Sequence, residues 1–139
     1  MTQVFLIIGA LIFGALGALH AWYTFCDERD PRRLAPDSRA VLEAMEVSNV
    51  RLSHGGTTMW KAWLGFNYSH SLGVLMFAAG CIAIARSIHA LALPKPALLI
   101  PIVVGGLYFW LSTRYWFRIP TMGIAAGMLC FAVAWLFYP

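Results

Sequence analysis

The chain has 139 residues, of which 60% are hydrophobic and only 12% charged, with a mean hydropathy of +0.72. Soluble domains carry about a quarter of their residues as charges, so this composition excludes a water-exposed globule and points into a membrane. The net charge of +4 and the pI near 9.3 do not argue for nucleic acid. The basic residues stand in loops beside apolar stretches, where membrane topology accounts for them.

All six acids (Asp27, Glu28, Asp30, Asp37, Glu43 and Glu46) fall between the first two apolar stretches. No carboxylate is expected within a span, which removes proton-coupled transport through a buried acid, paired-carboxylate hydrolysis and carboxylate-bound metals. Cys26, Cys81 and Cys130 are widely spaced and contain no C-x-x-C, so they read as small apolar side chains.

The first expected span covers residues 3–25. It has no Lys or Arg in front of it and runs on into His20, Trp22 and Tyr23 rather than a small-residue cleavage site, so it reads as a retained helix. The polar segment that follows breaks at Asp30-Pro31 and Ala35-Pro36. Residues 37–52 then show helical periodicity. Ala40, Val41, Ala44, Met45, Val47 and Leu52 share one side and Arg39, Glu43 and Glu46 the other, while Leu42 and Val50 break the pattern. Gly55-Gly56 should end this helix, and Thr57 or Thr58 should cap the next.

The second span is expected at 59–87, with Trp60, Lys61 and Trp63 at the interface. Pro94-Lys95-Pro96 closes a short loop, and a third span over 97–117 should bend near Pro101. It ends in Arg114, Tyr115, Trp116, Phe117 and Arg118. Pro120 suits the first turn of a fourth span over 120–138. The expected fold is therefore all-α, one membrane domain over 1–139: a four-helix bundle with an amphipathic helix in its first loop.

Loops one and three, with their flanks, hold eight of the ten Lys and Arg residues, leaving Arg86 and Lys95 on the other side. The positive-inside rule then places those loops in the cytoplasm and both termini outside. Small residues should mark helix contacts, because lipid removes the hydrophobic drive for association. Candidates are Ala10, Gly14 and Ala18, then Gly65, Ser69, Gly73 and Gly80, then Gly123-x-x-x-Gly127. Such stripes serve internal packing first and a homodimer seam second.

Chemistry concentrates near the loop-one end. Asn67 and His70 stand three apart, on one helical face with Trp63. An Asn and a His in a span need partners, since hydrocarbon penalises unpaired polar groups by a few kcal/mol. His20, at similar depth on the first span, is the expected partner. Tyr23, Ser112 and Tyr115 fall on the same side and complete a candidate pocket of His20, Tyr23, Trp63, Asn67, His70, Ser112 and Tyr115. In a catalytic reading, His70 is the general acid or base, oriented by Asn67, with His20 as a second proton carrier.

Plainer roles compete with each of these. His20 can simply bond Asn67 and hold two helices together. Trp60, Trp63, Tyr115 and Trp116 serve as interfacial anchors, and Arg114 and Arg118 meet lipid phosphates. No metal is expected, since zinc needs three or four protein ligands and neither His54 nor His89 adds one at ligand spacing. No cofactor is firmly implied, although His20 and His70 on different helices are the pair that a bis-His b-type haem would use.

The run Trp60-Lys61-Ala62-Trp63-Leu64-Gly65-Phe66-Asn67-Tyr68-Ser69-His70-Ser71-Leu72-Gly73, together with His20, Tyr23-Thr24-Phe25, Tyr115-Trp116-Phe117 and Pro120, resembles a small family of bacterial four-helix membrane proteins. The resemblance covers nearly the whole chain. It implies the four-helix fold and a bacterial inner-membrane setting, and it implies no activity, cofactor or catalytic residue.

Three functional readings follow. The first is a polar pocket open to the cytoplasmic leaflet for a lipid, quinone or isoprenoid. The second is an accessory subunit packed against a larger membrane complex, and the third is a haem-bearing electron carrier.

Overall fold

The computed structural model describes residues 1–88, 90 and 92–139. His89, set aside above as a ligand, lies outside them. Four helices are long and apolar enough to cross a membrane, and the chain is an all-α, multi-pass membrane protein. We label the helices α1 (Thr2–Arg29), α2 (Arg39–Val47), α3 (Met59–Ser87), α4 (Leu99–Tyr115) and α5 (Arg118–Leu136). Two compact units stand out: Met1–Leu16 with Val74–Pro139, and Gly17–Gly73. Helices α1 and α3 each contribute to both.

Several boundaries differ from expectation, each for a local reason. Helix α1 runs on to Arg29 and so includes Asp27 and Glu28. Its 28 residues make a rod of about 42 Å against a hydrocarbon core of about 30 Å, so it tilts or an end protrudes. Helix α2 stops at Val47, well before the glycine pair. The chain then doubles back: Val50 N donates to Thr57 O at 3.0 Å and Met59 N to Ser48 O at 2.8 Å, with left-handed backbone at His54 and Gly55 making the turn. Thr58 caps α3 through Lys61 N, 3.4 Å from its Oγ1. A 3-10 turn over Lys95–Leu98 precedes α4. Pro101 is therefore the third residue of that helix, in its first turn, where a missing N–H is tolerated.

The first unit is a four-helix bundle built on apolar packing. Its core includes Leu6, Ala10, Phe13, Val74, Ala78, Ile124, Phe131 and Ala134. At its centre one aromatic ring from each helix meets the others. Phe13 of α1 stands edge-on to Phe77 of α3, with centroids 5.1 Å apart, and lies 6.0 Å from Tyr108 of α4 and 5.7 Å from Phe131 of α5. Such pairs contribute about 0.5–1.5 kcal/mol each beyond burial.

Glycines let the rings in. A Cβ on Gly9 would sit 2.6 Å from the Phe131 ring and 3.0 Å from Gly127 O, and one on Gly127 would sit 2.8 Å from the Phe13 ring. The Gly123-x-x-x-Gly127 pair is thus spent on packing against α1 within this unit, Gly123 facing Leu16. Lys95 and the end of α5 close the bundle's loop-two end. Lys95 Nζ donates to Tyr138 O at 2.5 Å and lies over the Trp135 ring, and Tyr138 OH donates to Leu93 O at 2.6 Å.

Candidate functional site

The second unit, Gly17–Gly73, is held by polar contacts, and the final three turns of α1 supply most of them. Along one helical stripe stand His20, Thr24 and Asp27. Thr24 is buried and satisfies its hydroxyl locally by donating to His20 O at 2.9 Å. Asp27 is fully buried at the end of that stripe, and its carboxylate gathers the chain beyond the helix. Oδ1 accepts from Arg32 N and Arg33 N at 3.0 Å each, and Oδ2 from Leu34 N at 2.5 Å and Arg33 N at 3.1 Å. Buried charge survives only when it is hydrogen-bonded, and three backbone donors meet that demand here.

The gathered loop is tied in turn to α3. Trp63 Nε1 donates to Leu34 O at 3.0 Å, and Tyr68 OH donates to Glu28 Oε2 at 2.8 Å. Arg33 lies over the Tyr23 ring with its guanidinium carbon 5.4 Å from the centroid, and Arg29 lies over Phe25 at 4.5 Å. Trp63 and Tyr23 therefore act as ties between loop one and the helices.

Deeper along α1 and α3 the structure joins the three residues expected to pair. Asn67 is buried, and its Nδ2 donates to Trp63 O at 2.8 Å. Its Oδ1 stands 2.9 Å from His20 Nε2. A backbone carbonyl only accepts, so the amide orientation is fixed: Nδ2 points to Trp63, Oδ1 points to His20, and His20 Nε2 carries the proton. The His20 and His70 rings meet edge to face at 5.2 Å, and Phe66 stacks on His70 at 6.5 Å. Both imidazoles are half-buried. Asn67 thus orients His20, whereas the sequence reading had it orient His70.

Two further expected members fall in the other unit. Ser112 and Tyr115 belong to the first unit. There Ser112 is buried with its hydroxyl donating to Phe109 O at 2.8 Å, and Tyr115 is 71% exposed. Two recesses in the structure are shallow and apolar, and neither is lined by His20, Asn67 or His70. One runs along Ala40, Val41, Ala44, Met45, Ser48 and Met59, the other between α4 and α5 along Ile102, Phe109 and Met128. Helix α2 buries Leu42, the residue that had seemed to break its pattern, and presents Val41 and Val47 outward.

A haem between the two histidines does not fit this arrangement. Two metal–nitrogen bonds of about 2 Å on opposite sides of one iron, with the ring radii added, require centroids about 6 Å apart and an open plane between them. The rings are closer than that and in edge contact, and His20 Nε2 is engaged by Asn67. Among the described residues no three His, Cys, Asp or Glu side chains gather as a metal site.

Sequence reasoning missed Asp27 and Glu28, which it left among loop acids. The available signal was register: Asp27 follows Thr24 by three and His20 by seven, so the helical stripe continues into the supposed loop. Comparison with protein-family models, curated proteins and solved structures finds no match to this chain.

Proposed function

We propose that this is a multi-pass protein of the bacterial inner membrane whose His20–Asn67–His70 cluster holds the polar group of a hydrophobic small molecule: a lipid, quinone or isoprenoid. The supporting observation is the pair of half-buried imidazoles in contact at 5.2 Å, one of them fixed by a buried amide. Imidazoles at this level of a span can exchange hydrogen bonds with a lipid-soluble molecule's polar group, which acyl chains cannot do. By the Lys and Arg distribution the cluster faces the cytoplasmic leaflet, with both termini outside. In a catalytic version the contacting rings relay a proton, with His70 as acid or base and His20 held by Asn67. Protein purified from native membranes should carry a lipid-soluble molecule by mass spectrometry, and His70→Ala should lose it while keeping its helical circular dichroism. Retention of the same molecule by His70→Ala and by His20→Phe would sink the reading.

A second reading, an accessory subunit of a larger membrane complex, is favoured by a different observation. Gly65 and Gly80 of α3 have open space where a Cβ would stand, and α2 turns apolar Val41 and Val47 outward. Small-residue faces of this kind accept another helix closely. A tight partner in mild detergent, lost on Gly65→Leu, is its expected result; an unpartnered chain in every mild detergent contradicts it.

A further inference from the structure

We infer that the group His20 recognises is a hydroxyl hydrogen-bond donor, so that the cluster prefers a quinol or prenol to a quinone; this rests on the reading of the cluster as a binding site. The argument is one of proton placement. Trp63 O accepts from Asn67 Nδ2 at 2.8 Å, which turns Asn67 Oδ1 toward His20 Nε2 at 2.9 Å. An amide oxygen only accepts, so His20 Nε2 is the N–H of the ring. The amide cannot flip to suit the opposite tautomer without facing its NH₂ away from the Trp63 carbonyl and breaking that bond.

A neutral His20 then presents its second nitrogen, Nδ1, as a bare lone pair. A bare lone pair accepts a hydrogen bond from a hydroxyl. It repels a ketone oxygen, which also has only lone pairs to offer. An analogue that leaves a partly desolvated nitrogen without its bond is disfavoured, because the desolvation cost is not recovered. The Asn67–Trp63 contact therefore sets ligand class without touching the ligand, and Asn67 is a positioning residue.

The test uses detergent-solubilised full-length protein and two probes, decyl-ubiquinol kept reduced under argon and decyl-ubiquinone. Bound probe is measured by equilibrium partition and chromatography. Wild type should bind the quinol about tenfold or more tightly than the quinone, as expected for one unmade buried hydrogen bond. Asn67→Leu frees the tautomer and should shrink that preference to within about threefold.

Nitrogen-15 shifts of histidine-labelled protein give an independent readout, with Nε2 protonated and Nδ1 bare on His20 in wild type. Equal or tighter quinone binding, or a His20 protonated on Nδ1, overturns the inference while leaving the binding site standing. Binding of neither probe overturns the inference and, if no native lipid copurifies, the site reading as well.

Discussion

The two units of this protein are stabilised by opposite means. Thirteen of the core's buried apolar residues, Phe13 and Phe131 foremost, belong to Met1–Leu16 and Val74–Pro139. Gly17–Gly73 instead buries Thr24, Asp27, Asn67 and Ser71, with Leu42 and Trp60 as its buried apolar residues. Charge divides the same way. The first unit holds Arg86, Lys95, Arg114 and Arg118 and no acidic side chain, so it carries the entire net charge of +4; the second balances six bases against six acids. One unit is a packed apolar bundle for lipid, the other a hydrogen-bonded structure where helices meet a polar loop. Function is better sought in the second, because paired polar groups can exchange partners and interlocked rings cannot.

Substitutions can break this contrast in graded steps. Phe13→Ala removes the ring that touches all three other helices and should cost about 3 kcal/mol, read as loss of resistance to denaturing detergent. A near-zero effect would mean that the aromatic centre is not the bundle's core. Asp27→Ala strips the acceptor from three backbone amides and should cost about 2 kcal/mol, confined to loop one. Limited proteolysis should then cut between Asp30 and Ser38 while the apolar unit stays intact. Asn67→Leu loses one interhelical bond, worth about 1 kcal/mol in a bilayer. Gly65→Leu should leave stability within about 0.5 kcal/mol, since nothing lies within 4 Å of the added Cβ, and any large loss would show that this face is already covered.

Apolar patterning made the four spans legible because a hydrocarbon solvent dictates their length and composition so strongly. The pairing of His20 with Asn67 was legible for a related reason, as buried amide and imidazole groups need partners. Helix ends were harder to read. Asp27 looks like a loop acid until Arg32, Arg33 and Leu34 are seen to fold back on it, and that contact spans a Pro31 turn which no periodicity encodes. Leu42 broke the expected amphipathic pattern because periodicity alone does not say which side of α2 faces inward; the structure buries Leu42 and exposes Val41.

A double-mutant cycle between His20 and Asn67, measured in bilayers, addresses the central pairing most directly. His20→Phe and Asn67→Leu should each destabilise the chain, and the double variant should cost no more than the worse of the two, a coupling of about 1 kcal/mol. Strictly additive costs would mean that these side chains do not face one another, and the proposed site would go with them.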